Sequence, residues 1–326
     1  MKTFSNVPDL SADTLQRYSL HGETMGTRYS AVFYAAAGLD EACVNARLFA
    51  AVDAVDRQMS NWKPDSDLNR LNSAPENEWL TMPKELFTVL ETALLVSRQS
   101  QGAFDIGVGS MVQAWGFGPG KGHTDTHQIN SLRSNVHRPA TNVLELAPER
   151  LQARKRAAIT LDLSGIAKGY GVDQLGRCLE RLGITCYLVG IDGEVRARGM
   201  KPDGNPWSVA IEKPVRHIRE VMGVMTLSDA AIATSGDYRH WVEHEGKSYT
   251  HTMNSALQEP VSNRLAAVSV VASNCMLADA WATALLVLGE EAGVKMAQER
   301  GMDAVFVLHD KDGFKDIAIA DGKIEQ

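Results

Sequence analysis

The stretch Leu161-Asp162-Leu163-Ser164-Gly165-Ile166-Ala167-Lys168-Gly169-Tyr170-Gly171-Val172-Asp173 restricts the fold of this chain more than any other. The apolar run over 157–163 predicts a strand, the small residues after it predict a sharp turn, and the sequence onward to about Leu182 predicts a helix. That order brings free backbone amides at a helix start together with Lys168, a combination that suits an anionic ligand. A plain strand-to-helix connection with Ser164 as N-cap accounts for the same residues equally well. The spacing matches neither Gly-x-Gly-x-x-Gly nor the phosphate-loop Gly-Lys-Ser/Thr. A phosphate role therefore depends on partners elsewhere in the chain.

Composition narrows what those partners could be. With 44% apolar and 22% charged side chains over 326 residues, the chain can bury a large core and is not expected to be disordered. A net charge of −7 argues against nucleic acid, whose binding surfaces are basic. Cys43, Cys178, Cys186 and Cys275 are widely spaced and read as reduced thiols, not as a zinc site or a disulfide framework. Residues 1–20 carry Asp9, Asp13 and Arg17 and read as an N-terminal extension without an apolar export signal. As written, the chain is expected to be cytoplasmic, or periplasmic if an export segment has been removed. No run is long enough for membrane insertion.

The remaining pattern mixes helices and strands without a regular βαβ rhythm, which predicts an α+β fold of mixed or antiparallel sheets packed with helices, a single unit over 21–326. Residues 26–36 read as a strand entered through a turn at Met25-Gly26, and 40–59 as an amphipathic helix. Trp62 follows in a polar loop, where an aromatic can stack on a flat ligand or cap a helix end. Pro83 opens a helix through Gln99. Glycines and aromatics interleave at Gly102-Ala103-Phe104-Asp105 and Trp115-Gly116-Phe117-Gly118-Pro119. The segment 120–142, with His123, His127 and His137 at no metal spacing, reads as a solvated loop. Hairpin turns are expected at Asp192-Gly193 and Glu245-Gly246.

Two later positions carry chemistry. Asp279 and Thr283 stand at i and i+4 in an apolar helix over 274–288, so both oxygens project from one face. They could ligate a hard cation, or Thr283 could cap its own backbone while Asp279 meets a basic side chain. His251, at a strand end, is a lone histidine for which structural and catalytic roles both stand.

Taken in order, Met25-Gly26-Thr27, Met59-Ser60-x-Trp62, Ser66-x-Leu68-x-x-Leu71-Asn72, Gly102-Ala103-Phe104-Asp105, Trp115-Gly116-Phe117-Gly118-Pro119, Asp162-Leu163-x-Gly165-Ile166-Ala167-Lys168-Gly169-Tyr170, Thr234-Ser235-Gly236, His251 and Ala278-Asp279-Ala280-x-Ala282-Thr283 resemble the ApbE family of FAD:protein FMN transferases from about residue 24 onward. The resemblance implies that family's two-lobed architecture. It also implies FAD as donor, a magnesium ion, and a target flavoprotein that receives FMN on a threonine hydroxyl as a phosphoester while AMP leaves. It places magnesium on Gly165, Asp279 and Thr283. FAD would be lined by Met25, Trp62, Ala103, Phe104, Asp105, Asp162, Lys168 and Met253, and His251 would activate the acceptor hydroxyl.

The chain departs from the family pattern after that histidine. An Asp-Pro-x-Thr-Gly-x-Pro run is replaced by Asn254-Ser255-Ala256-Leu257-Gln258-Glu259-Pro260, the usual tyrosine is Trp62, and the first glycine of a Gly-Gly pair is Asp192. The alternatives these departures leave are a magnesium-dependent FAD pyrophosphatase without protein transfer and a non-catalytic flavin carrier.

Overall fold

The computed structural model describes residues 15–119 and 122–325. β1 (Leu15–Thr24) and β2 (Thr27–Ala36) pair over ten residues each, so residues 15–20, read as part of the extension, form the first half of a sheet strand. Met25 and Gly26, at φ +48° and +71°, make the two-residue turn whose left-handed backbone suits the twist of the hairpin. α1 (Glu41–Met59) starts where the Asp40 carboxylate accepts the Cys43 N–H, and it buries Val44, Leu48, Val52, Val55 and Met59 along one stripe. α2 (Asp67–Ser73) is capped by Ser66. After β3 (Leu80–Thr81), α3 (Lys84–Gln99) begins one residue beyond Pro83, which sits at its N-cap.

Residues 122–142 are not the solvated loop expected. After α4 (Gly109–Ala114), they form α5 (Thr126–Ser134) and the start of α6 (Ala140–Val143). Asp125 caps α5, and Ile129, its one buried side chain, joins Trp115 and Met111 in a small core. A helix that buries one residue leaves almost no periodic signal. β4 (Leu144–Ala147) and β5 (Gln152–Lys155) complete a three-stranded sheet with β3.

The strand expected over 157–163 is absent as well. Its backbone pairs instead with scattered groups. The Leu161 N–H donates to Asn72 Oδ1 and the Leu161 carbonyl accepts from Asn72 Nδ2, while the Asp162 N–H donates to the Ile106 carbonyl and the Gly109 N–H to the Thr160 carbonyl. A side-chain amide can satisfy a backbone donor and acceptor as a neighbouring strand would, without a ladder.

α7 (Ala167–Arg181) follows, then β6 (Tyr187–Ile191), β7 (Glu194–Arg198), β8 (Trp207–Glu212), β9 (Val221–Leu227), β10 (Ala231–Gly236), β11 (Trp241–His244), β12 (Lys247–Thr250), β13 (Met253–Asn254), β14 (Glu259–Pro260) and β15 (Leu265–Ala272). α8 (Cys275–Glu299) is broken at Gly289, φ +82°, and β16 (Asp303–Asp310), β17 (Gly313–Ala320) and β18 (Lys323–Ile324) close the chain. Nine strands, in the order β1-β2-β6-β7-β10-β15-β16-β17-β18, form one sheet whose neighbours are all antiparallel. The fold is therefore α+β. Among the described residues no helix is long and apolar enough to cross a membrane.

One core fills the space between α1, α7 and the β1, β2 and β6 strands, and a larger one surrounds α3 and α8. α7 and α8 meet at Gly169, where an added Cβ would lie 2.8 Å from Asp279 Cβ and closer still to the Cys275 carbonyl oxygen. Gly169→Ala is expected to wedge the helices apart at a cost of about 3 kcal/mol. Urea unfolding of the variant beside the parent measures that cost, and an unchanged midpoint would show the contact is not tight.

Candidate functional site

The turn that opens α7 is built around Asp162. Its Oδ1 accepts the Ser164 N–H at 2.8 Å and the Ser164 hydroxyl at 2.5 Å, and its Oδ2 accepts Asn61 Nδ2 at 2.5 Å. Ser164 is thus tied to Asp162 and is not the N-cap. That position belongs to Ile166, which has no side-chain bond. The first amides of α7 are left to other partners, and Asp279 takes one of them.

Asp279 Oδ2 accepts the Gly169 N–H at 2.9 Å, which leaves Oδ1 without a protein donor among the described residues. Burial raises the carboxyl pKa to about 7 and Glu194 adds to the rise, against the pull of Lys168 and the Gly169 N–H. One turn on, Thr283 Oγ1 lies 3.1 Å from Ser235 Oγ. A Cβ on Gly165 would sit 3.0 Å from Thr283 Oγ1 and 3.3 Å from Phe104 Cε2. The three residues Gly165, Asp279 and Thr283 are therefore brought to one place by elements more than a hundred residues apart in sequence. Carbonyl, carboxylate and hydroxyl oxygens are the donors a hard cation takes. No group of three His, Cys, Asp or Glu side chains among the described residues could hold a metal, so this donor set would need ligand or solvent oxygens to complete a shell.

Lys168 Nζ meets Glu194 Oε1 at 2.5 Å and Asp192 Oδ2 at 3.9 Å. Burial alone would depress the ammonium pKa, but the charges of Glu194, Asp279 and Asp192 outweigh it and hold the pKa above the ordinary lysine value. Asp192, in left-handed backbone at φ +55°, also receives Arg239 Nη1 at 2.5 Å, and Arg239 Nη2 reaches Glu212 Oε2 at 2.6 Å. The carboxylate that replaces a glycine here links the β6–β7 turn to the segment after β10.

That segment carries His240, whose ring stands edge-to-face on His251 with centroids 5.4 Å apart. Phe117 packs on His251 in the same fashion at 6.2 Å. Burial, then the His240 and Lys168 charges, lowers the His251 pKa to about 4. Its Nδ1 is sealed from solvent and has no hydrogen-bond partner among the described residues. A neutral imidazole with an unengaged nitrogen is what a proton acceptor requires.

The other expected residues are arranged unevenly. Trp62 is 65% exposed, free to stack on a ligand, and capping no helix. Met25 packs over Gly171 of α7 beside a cleft of about 630 Å³ that Lys63, Phe49 and Arg28 also line. Phe104 is buried behind Gly165, and Met253 is buried beside Trp115. The Asp105 side chain is engaged within the protein: Oδ1 accepts the N–H groups of Gly107 and Ala140, and Oδ2 meets His137 Nε2 at 2.7 Å. In the departing run, Asn254 Oδ1 accepts the Leu257 N–H and Gln258 adopts φ +56°.

Sequence reasoning gave no role to Asn61, Asp173, Glu194, Arg196, Ser235, His240 or His137. Asp173 is nearly sealed and accepts the Cys275 and Met276 N–H groups and Arg196 Nη1. It thereby caps the helix that carries Asp279 and Thr283. The signal for it was a carboxylate on the apolar side of the α7 pattern, which calls for buried partners.

A sequence model of the ApbE family matches residues 25–306. A FAD:protein FMN transferase of Vibrio cholerae is 35% identical over 93% of this chain and 91% of its own, and one of Escherichia coli K12 is 31% identical over 91% and 85%. Among solved structures, the flavin transferase ApbE from Vibrio cholerae superposes with a TM-score of 0.84 at 33% identity, covering 94% of this chain and 98% of that one. The apo flavinyl transferase ApbE of Pseudomonas stutzeri gives 0.83 at 32%, covering 94% and 95%. Relatives of this identity and coverage define the chain as a transferase. The chain belongs to the ApbE family.

The Asp279 environment makes a direct prediction. In metal-free protein its side-chain carboxyl is expected to titrate near pH 7 by carbon-13 NMR. Lys168→Met, which removes a charge that favours the anion, moves the midpoint higher. Titration near the ordinary value of about 4 would mean the carboxylate is solvated and the helix contact is open.

Proposed function

We propose that this chain transfers FMN from FAD to a threonine hydroxyl of a target protein, in a magnesium-dependent reaction that releases AMP. The observation that carries the proposal is the pairing of two unlike sites. One is a cluster of hard oxygens at Gly165, Asp279 and Thr283 beside Lys168. The other is a histidine held neutral near that lysine's charge. Family membership supports the same donor and product.

In the step proposed, the threonine oxygen forms a bond to the FMN phosphorus and the bond from that phosphorus to the AMP oxygen breaks. His251 receives the hydroxyl proton. Gly165, Asp279 and Thr283 would hold the magnesium ion, which when bound supplies positive charge to the pyrophosphate oxygens. Lys168 contributes a second, fixed charge at the α7 start, and its ion pair with Glu194 holds the ammonium in place. Trp62 offers an exposed ring for stacking.

Incubation with FAD, magnesium and a threonine peptide, followed by mass spectrometry, tests the proposal. Flavinylated peptide plus AMP is expected. Free FMN plus AMP would point to hydrolysis, and unchanged FAD to a carrier. His251→Ala is expected to bind FAD as the parent does and to transfer FMN about 10²–10⁴-fold more slowly, the usual contribution of a general base. Asp279→Ala is expected to lose the response to magnesium.

The pH dependence separates the two sites. Because His251 titrates near 4, it stays deprotonated as pH falls through 6, and transfer at saturating magnesium should not fall off until near pH 4. Asp279 takes up a proton near 7, so below that pH the magnesium concentration needed should climb about tenfold per unit. An acid limb near 6.5 at saturating metal would remove His251 as the base.

A further inference from the structure

The loop over 213–220, between β8 and β9, carries Lys213, Arg216, His217, Arg219 and one acid, Glu220, in a chain whose net charge is −7. Arg216 lies over the Trp241 ring at 4.5 Å, and the His217 ring packs edge-on against the same indole at 5.2 Å. Trp241 directly follows His240, the exposed residue whose ring covers His251.

The charges on this loop are unevenly compensated. Lys213 pairs with Glu220 at 3.2 Å, and Arg219, 85% exposed, reaches Glu212 only at 3.9 Å. Glu212 is already engaged by Arg239. Among the described residues Arg216 meets no carboxylate, so the indole face is its partner. Ile218 lies between these cations in the loop, and it and Val221 and Val224 of the adjoining β9 are among the exposed large apolar side chains of the described residues. Cations interleaved with apolar side chains beside a reaction site suit an acidic segment that also carries apolar residues.

We infer that this loop and Trp241 form the docking surface for an acidic segment of the acceptor protein, flanking the hydroxyl that His251 serves. The inference rests on the transfer reaction proposed above. The surface acts on encounter and register, so it sets the KM for acceptor, while chemistry at His251 sets kcat.

The test uses three synthetic peptides of equal length with one central threonine, flanked by Asp and Glu, by Ser and Gly, or by Lys. Transfer from FAD is expected to favour the acidic peptide by at least tenfold in kcat/KM, with a preference that shrinks as salt is raised. Arg216→Glu with Arg219→Glu is expected to raise KM for the acidic peptide at least tenfold while leaving kcat and FAD binding within twofold. Arg219→Glu alone, at a side chain 85% exposed, keeps the test independent of folding and should give a smaller shift in the same direction. Anisotropy of the dye-labelled peptides with FAD-bound protein reads docking even if no peptide is flavinylated, an outcome that would count against the transfer reaction instead. Equal binding of the three peptides, an unchanged KM in both variants, or a loop that serves self-association or binds anionic vesicles in place of acidic peptide would overturn the inference.

Discussion

The approach of α7 to α8 at Gly169 is the contact on which the site depends. Because residue 169 has no side chain, the Asp279 carboxylate can come down on the first turn of α7 and accept its amide. Asp173, four residues later, reaches the opposite way and takes two amides at the start of α8. Each helix thus offers a carboxylate to the other's N-terminal end, where the backbone dipole favours negative charge. The pair of exchanges fixes the register of Asp279 and Thr283 over Gly165. Arg196 satisfies Asp173 as well, so that carboxylate is fully engaged, whereas Asp279 keeps one oxygen unengaged. The same motif therefore yields one fully bonded carboxylate and one with an oxygen to spare among the described residues.

Charge around Lys168 follows from that difference. Glu194, Asp192 and Asp279 all bear on a single ammonium, with Arg239 compensating Asp192 from outside. Burial first and the charge of Glu194 second push Asp279 upward, a cost that a bound cation would relieve. His251 faces the opposite consequence. It feels the lysine and His240 in a dry setting and stays neutral. One arrangement of charges and burial thus shifts the carboxyl upward and the imidazole downward, which is what the proposed metal and base roles would require.

Much of this was legible in the sequence, and the pattern of success has a physical cause. α1 and α3 bury periodic apolar stripes, α8 is a long apolar run buried on nearly every side, and the turns at Asp192-Gly193 and Glu245-Gly246 carry their own chemistry, so each was visible locally. Asp279 and Thr283 were visible because a carboxylate in an apolar helix needs an explanation. Residues 157–163 misled because their apolar side chains resemble a strand while their backbone partners are Asn72, Ile106 and Gly109. The His137 to Asp105 bond and the Asp173 cap join residues 32 and 102 apart, and no periodicity reports such pairs. The order of the ApbE motifs placed Gly165 beside Asp279 and Thr283, which neither segment shows alone.

The run from Asn254 to Pro260 illustrates why lost motif letters need not mean lost geometry. An Asn at its head offers the same side-chain oxygen as an Asp, and Oδ1 does accept the Leu257 N–H across the turn. Gln258 occupies left-handed backbone at φ +56°, where glycine would be unstrained, and its amide then donates to the Asn135 carbonyl at 2.8 Å. Arg133 meets Glu259 at 3.2 Å alongside. The strain of a non-glycine residue is thus opposed by bonds to α5 and its end, the region whose own sequence read as loop. Leu257 is 64% exposed at this turn, and Met253 pairs with Pro260. The turn beside His251 is thus braced from the end of α5 and leaves Leu257 facing solvent.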